Sequence, residues 1–343
     1  METNVYDLGN FDSLFHLPII DGHLHVWKGF QPQQIWDTLN KAGAQRCNAL
    51  SLNNFDRGGT LNTEALLFKK VSNGRAYAFG SLDYTDHLRG KIMKAEHLVE
   101  QAKQLKASGF DGIKMWEGKP LAYITLPDQL DGPFFEPYFA WMEERSFPII
   151  LHLADAPRLW DPSRKGLDLW SFAEAPYPSR HKMYAELETV LKRHPHLKII
   201  FAHFLFLWNE LDEARRILET HPSIAFDLTP GVEGYAQISQ HIHQARQLFI
   251  DRQDQIIYGT DIGALPLLDS TAEFDLDREA RQPWLVRTFL ESNLDIPFPK
   301  QIGVVKGGFA DQRLRGLALP QKVLEKIYYK NFEAMVGATP SNL

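Results

Sequence analysis

Short apolar runs alternate with longer amphipathic segments along most of the chain. The runs are apolar at consecutive positions, as in PIIL at 148–151 and IIF at 199–201, which is typical of parallel strands buried on both faces. The segments between them repeat apolar residues every three or four positions, as in QQIWDTLNKAG at 33–43, which predicts helices. The apolar runs predict eight strands: Ile19–Trp27, Asn48–Leu52, Ala76–Asp83, Asp111–Trp116, Pro148–Ala154, Lys198–His203, Ile224–Leu228 and Gln255–Asp261.

Eight alternating strand–helix units predict a (β/α)8 barrel. Connections long enough to hold a helix join parallel strands, and no change in composition marks a second domain, so residues 1–343 are interpreted as one domain. A barrel needs about 250 residues; the remainder is assigned to long loops and to a last helix, Gln321–Gly337, expected to pack outside the barrel. The long loops all follow strands, on the face that holds barrel active sites: Glu117–Pro133, Asp155–Arg180 and Ile262–Pro283.

Two histidines at the end of the first strand are the strongest chemical signal. Residues two apart on a strand point the same way, so the side chains of His23 and His25 are both expected to enter the barrel mouth. Paired neutral imidazoles are typical metal ligands. The same spacing recurs at His241 and His243, but in a helical segment, where residues two apart point in different directions.

Three further side chains that can bind or serve a metal lie at the predicted ends of other strands. His152 ends the fifth strand, His203 the sixth and Asp261 the eighth. In a closed barrel, the carboxyl ends of the strands surround one axis. The sequence therefore predicts a metal site built from side chains of the first, fifth, sixth and eighth strands.

These motifs resemble the amidohydrolase superfamily, and more narrowly its amidohydrolase-2 group of decarboxylases, hydrolases and lactonases. The resemblance rests on IDGHLH at 20–25, His152, FAH at 201–203, GTD at 259–261 and the closing KIYYKNFEAMVG. It implies that His23, His25, His152 and Asp261 hold one divalent ion, usually zinc, and that His203 orients or deprotonates a bound water. Relatives are often dimeric, so a homodimer is an expectation.

Three functions remain open from the sequence. The leading hypothesis is a hydrolase in which metal-bound hydroxide cleaves an ester, lactone or amide of a small, carboxylate-bearing substrate, with Asp261 transferring the proton. A non-oxidative decarboxylase would use the same residues, with the metal holding the substrate carboxylate. The third interpretation is a barrel that binds metal without catalysis.

The remaining charged candidates lie on the fourth strand and in the long loops. Lys114 and Trp116 share one side of the strand and Glu117 the other, so Lys114 or Glu117 could ligate a second metal or contact substrate. Glu117 and Lys119 could equally form a solvent-exposed pair. In the loop after the fifth strand, two arginines and a lysine are candidates for binding substrate anions: Arg158, Lys165 and Arg180.

Composition narrows the partners to a small molecule. The net charge is −6, from 37 Lys and Arg against 43 Asp and Glu, and the cations do not cluster, which disfavours nucleic acid. No apolar run is long enough to cross a bilayer, and METNVYDLGNFDSLFH at the start has no apolar stretch, so a cytoplasmic protein without a signal peptide is expected. The one cysteine, Cys47, is interpreted as a core thiol.

Three other residues have a predicted structural or covering role. Asp21 lies two residues before His23 and is expected to be a buried hydrogen-bond anchor. Trp160 and Trp170 lie in the loop Asp155–Arg180, which is interpreted as a lid over the mouth. The alternative is that the two tryptophans only attach that loop to the barrel.

Overall fold

Eight parallel strands form one sheet in chain order in a computed structural model of the protein. The structure describes residues 8–55, 58–166, 168, 170–269, 271–299, 302 and 312–343. Backbone hydrogen bonds from Gly22 to Tyr258 (2.9 Å), and from Asp261 to His23 (2.9 Å), join the first strand to the eighth and nearly close the barrel. The strands are β1 Ile20–His25, β2 Arg46–Leu50, β3 Ala76–Gly80, β4 Gly112–Gly118, β5 Ile149–Leu153, β6 Ile199–Phe201, β7 Ile224–Asp227 and β8 Ile256–Ile257.

Helices cover the outside of the sheet and shape its loops. The first begins at Pro32, where a missing N–H costs nothing, and ends at Gly43, whose left-handed φ of 78° lets its N–H bond back to Leu39 and Asn40. The helices are α1 Pro32–Ala42, α2 Asn62–Val71, α3 Thr85–Leu88, α4 Ala95–Ala107, α5 Pro120–Tyr123, α6 Glu136–Glu144, α7 Arg180–Arg193, α8 Leu211–Thr220, α9 Val232–Ile238, α10 Ile242–Asp251, α11 Ala264–Leu268, α12 Leu276–Glu279, α13 Arg281–Glu291, α14 Gln321–Glu325 and α15 Asn331–Val336.

A packed layer of apolar side chains fills the barrel interior. On β4 the layer is interrupted at Gly112, where a Cβ would collide with the ring of Phe79 and the carbonyl oxygen of Pro148, so only glycine fits. Strands β5 and β6 pair in register, with Ile150 opposite Ile200. Seven strands contribute to this layer: Ile20, Leu50, Tyr77, Phe79, Ile150, Ile200, Ala225 and Ile257.

The C-terminal helix closes the floor of the barrel. Residues 321–336 run continuously through α14, a π-helical turn at Lys326–Lys330 and α15. The helix was predicted to pack outside the barrel; instead Phe332 is fully buried in the interior layer, and the N–H of Tyr258 bonds to the carbonyl of Ile327. An apolar side chain suits this position because the interior layer that it contacts is apolar.

Most strands end earlier than predicted, and the early ends of β6 and β8 affect the predicted site. Strand β6 ends at Phe201 and β8 at Ile257, so His203 and Asp261 lie on turns, with φ of 56° and 64°. Left-handed conformations are uncommon for residues with a side chain, and persist only where surrounding contacts hold them. The turn at His203 directs its side chain into the cavity, whereas a continued strand would alternate from Ile200, in the interior layer, and direct it outward.

A small antiparallel sheet follows the barrel and was not predicted. It pairs β9 Asp295–Pro297 with β10 Arg313–Arg315. Residues 167 and 169 of the predicted lid, and residues 1–7 of the N-terminal segment, lie outside the described residues. In the part of the chain that the structure describes, no helix is long and apolar enough to span a membrane.

Candidate metal centre

A cavity of about 150 Å³ opens at the carboxyl ends of the barrel strands. Four residues of the predicted site line it, three histidines and a carboxylate: His25, His152, His203 and Asp261. A larger hollow of about 540 Å³ lies between the N-terminal segment and α13, but none of the predicted site residues lines it. The chemistry predicted from the sequence is therefore gathered in the smaller cavity.

His23, His25 and Asp261 form a group whose ligand atoms all lie within 4.8 Å of one another. Oδ1 of Asp261 is 3.1 Å from Nε2 of His25 and 3.6 Å from Nε2 of His23. Two imidazole nitrogens and one carboxylate oxygen facing a common point are a suitable donor set for a divalent transition metal. The predicted pairing of His23 and His25 on one side of β1 supplies two of the three donors.

His152 lines the same cavity but is not part of this three-residue group. Its ring centroid lies 5.0 Å from that of His203. Nε2 of His152 is buried and, among the described residues, has no hydrogen-bond partner. A buried nitrogen without a partner is costly, and a bound metal ion would satisfy it. The role of His152 as fourth ligand stays a prediction.

Asp227, at the end of β7, holds two of the histidines in place. Its Oδ2 lies 2.7 Å from Nδ1 of His23, and its Oδ1 accepts hydrogen bonds from the N–H of His203 (2.8 Å) and of Thr229 (3.1 Å). The hydroxyl of Thr229 also donates to Oδ1, at 2.5 Å. A carboxylate on the far nitrogen of a ligating histidine fixes its tautomer and orientation. The sequence analysis missed Asp227, although it lies one residue before the end of the predicted strand Ile224–Leu228.

The buried histidines are neutral near pH 7. Burial, which disfavours the imidazolium, lowers the pKa of His23 and of His203 to about 4, and also lowers the pKa of His25 and His152. Burial acts to raise the pKa of Asp261, but the hydrogen bond to His25 and the other histidines outweigh it and hold the pKa below its usual range. Neutral imidazoles with an ionised carboxylate are the protonation states that bind a metal.

Lys114 lies on the cavity floor beside the metal group. Its side chain is buried, lines the cavity together with Trp116, and places Nζ 3.4 Å from Nε2 of His23. Burial lowers the pKa of Lys114 to about 8. The side of β4 that carries Lys114 and Trp116 therefore faces the cavity, a choice that the sequence left open.

A family model described as Amidohydrolase matches residues 20–337. The chain belongs to the amidohydrolase family. Members of this family are metal-dependent enzymes, and the group formed by His23, His25 and Asp261 could bind such a metal.

Solved structures similar to this amidohydrolase span nearly its full length. A TIM-barrel protein from Bordetella bronchiseptica is 15% identical, with 93% of this chain and 98% of that one covered, at a TM-score of 0.58. A 2,6-dihydroxybenzoate decarboxylase from Rhizobium is 10% identical, with 93% of this chain and 98% of that one covered, at a TM-score of 0.55. A probable 2-pyrone-4,6-dicarboxylic acid hydrolase from Acinetobacter baumannii is 14% identical, with 93% of this chain and 99% of that one covered, at a TM-score of 0.51. Identities this low establish the fold alone. No curated protein matches the chain.

None of the three predicted anion-binding residues of this amidohydrolase lines the cavity. The guanidinium of Arg158 is paired with Asp168 of its own loop and with Glu233 of α9. Arg180, the first residue of α7, pairs with Glu210 at 2.5 Å and donates to the carbonyl of Phe206 at 2.9 Å. The third, Lys165, pairs with Glu174 at 2.8 Å on the surface of the loop. These cations hold the loop in place, and none of them lines the cavity.

Glu117 is also turned away from the metal group. It is fully buried, accepts a hydrogen bond from Nδ2 of Asn53 at 3.3 Å, and is not among the residues that line the cavity. Burial raises the pKa of Glu117 to about 7. Glu117 directly follows Trp116, whose side chain lines the cavity, and so points to the opposite face of β4. The solvent-exposed pair of Glu117 with Lys119 is therefore wrong.

Lys119 instead forms a buried ion pair that the sequence analysis missed. Its Nζ lies 2.5 Å from Oδ2 of Asp155, and both residues line the cavity. The ammonium also lies 4.3 Å from the ring centroid of Trp170. The signal was present: Lys119 directly follows β4, and Asp155 comes two residues after β5.

The tryptophans of the loop after β5 have different roles. Trp170 lines the cavity, as a lid residue would. Trp160 donates from Nε1 to the carbonyl of Pro178 at 2.9 Å and packs on Phe172, so it attaches the loop to itself.

Two predicted buried residues lie where expected. Asp21 accepts hydrogen bonds from the hydroxyl (2.5 Å) and the N–H (3.2 Å) of Thr260, which anchors the segment after β8 to β1. Cys47 is a fully buried thiol in the core.

Proposed function

We propose that this amidohydrolase binds one divalent ion, such as zinc, through His23, His25, His152 and Asp261, and hydrolyses an ester, lactone or amide bond of a small, carboxylate-bearing molecule. The observation that carries the proposal is the convergence of two neutral imidazoles and an ionised carboxylate within 4.8 Å at the base of a cavity. The unpartnered Nε2 of His152 supports a fourth ligand.

The donor set fits the metal on chemical grounds. Three neutral imidazoles and one carboxylate leave a divalent ion with a net positive charge, so it still attracts an electron-rich ligand. When bound, such an ion polarises a carbonyl and makes water more acidic. The tight hydrogen bonding of Asp227 to His23 supports the same assignment, because ligating histidines commonly bind a carboxylate through their other nitrogen.

The protein side chains would manage the protons of the reaction. In hydrolysis, water adds to the carbonyl carbon, the bond from that carbon to the leaving oxygen or nitrogen breaks, and one proton passes from the water to the leaving group. His203 and Asp261 both line the cavity, and His203 is neutral near pH 7, so it can accept that proton. The ammonium of Lys114 is suited to neutralise a substrate carboxylate near the metal.

Decarboxylation is the second candidate, and one observation favours it. Three aromatic side chains, Trp116, Trp170 and Phe206, line the cavity, and aromatic walls suit a flat unsaturated acid. In that reaction the bond between the carboxyl carbon and its neighbour breaks, carbon dioxide leaves, and a proton replaces it on the neighbouring carbon. That proton must come from water, and the same two side chains, His203 and Asp261, are placed to pass it to the carbon.

A product analysis on the metal-loaded protein separates the two reactions. Lactones, esters, amides and aromatic or muconate-type acids are supplied, and the products are identified by mass spectrometry with carbon dioxide measured in parallel. Cleavage of an acyl bond without carbon dioxide is the expected result. Carbon dioxide release from the acids, with every acyl bond intact, would assign the chain as a decarboxylase.

A further inference from the structure

The ion pair of Lys119 with Asp155 stands at the side of the cavity formed by the ends of β4 and β5. Both side chains are largely buried, with 5% of Lys119 and 8% of Asp155 exposed. Asp155 is held in turn, because its Oδ1 accepts a hydrogen bond from the N–H of Ala156 at 2.8 Å. The pair is thus fixed in position, unlike an exposed ion pair whose long side chains move freely.

The ammonium of Lys119 has more hydrogen-bond donors than the structure uses. An ammonium carries three N–H donors, and in the described part of the chain it donates one hydrogen bond, to Asp155. On another side it faces the ring of Trp170 at 4.3 Å, with the ring of Trp116 5.9 Å away. Buried donors without acceptors are costly, so the remaining donors favour an acceptor within the cavity.

The charges of the cavity favour an anionic acceptor. Two cations, Lys114 and Lys119, and two carboxylates, Asp155 and Asp261, line it. These charges cancel, so a divalent ion at the proposed site makes the cavity positive overall. Lys119 also lies near His152, where its charge adds to burial in lowering the pKa of that histidine.

We propose that Lys119 is a specificity-determining residue that binds an anionic group of the substrate, a carboxylate, at the side of the cavity bounded by Trp116 and Trp170. Asp155 positions the ammonium, and Trp170 covers it. The inference rests on the proposed function. It gives the substrate a second cationic partner besides Lys114, which faces His23 on the cavity floor. Lys119 donates one hydrogen bond to Asp155, which leaves two of its N–H donors for the substrate.

The size of the cavity sets the probe. A cavity of about 150 Å³ holds a molecule as large as benzene. Benzoate is therefore a suitable anionic probe, and benzamide is its uncharged equivalent of nearly the same shape. Binding of both is measured by isothermal titration calorimetry, with the full chain in its zinc-loaded and metal-free forms.

The variant Lys119→Met removes the charge and keeps the length of the side chain. We expect the Kd of benzoate to rise about 10- to 100-fold, the range for a lost charge-assisted hydrogen bond, in both forms of the protein. The Kd of benzamide should change by less than about twofold, since it carries no charge for the ammonium to bind. Lys119→Arg should retain most of the benzoate affinity.

The matched control is Lys165→Met, the same charge change in the neighbouring loop. Lys165 is exposed and pairs with Glu174, so benzoate binding should stay at the wild-type value. If circular dichroism shows that Lys119→Met is misfolded, Lys119→Gln replaces it in the same comparison. The proposal is overturned if the folded variant binds benzoate as tightly as the wild type, if benzamide loses affinity equally, or if the wild type binds no benzoate. Failure of the proposed function has a different signature: no acyl bond is cleaved, while benzoate binding still depends on Lys119.

Discussion

Oδ2 of Asp227 lies 2.7 Å from Nδ1 of His23, with both side chains buried. Burial acts to raise the pKa of Asp227, but its electrostatic interaction and hydrogen bond with His23 outweigh burial and bring the pKa to about 2. With Asp227 ionised and His23 neutral, the shared proton must lie on Nδ1 of the imidazole. That tautomer leaves Nε2, which lies near Asp261 and Lys114, without a proton. Its lone pair is then free to bind a metal ion.

The variant Asp227→Asn should therefore weaken metal binding while preserving shape. Oδ1 accepts hydrogen bonds from His203 and Thr229, so the amide oxygen of Asn would occupy that position and turn the NH2 group to His23. The imidazole would then carry its proton on Nε2, which blocks the ligand lone pair. We expect a 10- to 100-fold loss of metal affinity, roughly the effect of removing a partner of a metal ligand, measured by competition with a chelator dye.

The control for this variant is Asp21→Asn. Asp21 is equally buried and close in sequence to His23, but it bonds Thr260 and the backbone rather than an imidazole ring. Its metal affinity should remain within a few-fold of the wild type even if stability falls. Equal loss of metal in both variants would show that the effect comes from disturbing the barrel and not from the tautomer of His23.

Metal content tests the centre directly. The purified protein is expected to hold close to one divalent ion per chain, and His25→Asn should lose it, because His25 is within 3.1 Å of Asp261 in the ligand group. The control replaces His241 and His243 with Asn. These histidines have the same spacing but lie in the turn before helix α10 and in α10 itself. Elemental analysis should find full metal content in that control.

Two ions per chain would change the assignment of β4. Lys114, which lies 3.4 Å from His23, would then be the nearest candidate for a second ligand, whereas Glu117 would first have to leave its contact with Asn53. Protein that holds no metal and takes up none after addition would contradict the metal centre altogether.

The alternation of apolar runs with amphipathic segments was sufficient to predict the barrel. Parallel strands that are buried on both faces need such continuous apolar runs. The positions of His23 and His25 also followed from alternation along β1. The turns at His203 and Asp261 could not be predicted, since their left-handed backbone depends on contacts from Asp227 and from β1, which are distant in sequence. Likewise Arg158 looked available for substrate because its partner Glu233, on helix α9, is distant in sequence.

His203→Asn separates a proton-transfer role from a ligand role. His203 lines the cavity and is held through its backbone by Asp227, so the substitution should leave the site folded and the metal bound. Turnover of the substrate found in the product analysis should fall by roughly 10²–10⁴-fold, the usual contribution of a general acid–base group. Metal analysis of the variant supplies the check: loss of the ion would make His203 a ligand.

Phe332→Ala tests the floor of the barrel independently of the metal centre. The Phe332 ring is fully buried, packs edge-to-face on Tyr77 with centroids 5.0 Å apart, and approaches the β1 backbone so closely that a Cβ at Gly22 would lie 3.1 Å from it. Removing a buried phenylalanine leaves a cavity and costs about 3–5 kcal/mol in the free energy of unfolding, which urea denaturation measures. Phe15→Ala, at a side chain 47% exposed, should cost less than about 1 kcal/mol. The metal content of Phe332→Ala should stay at the wild-type value, because the ligands lie at the opposite ends of the strands; if the two variants are equally stable, Phe332 does not plug the barrel.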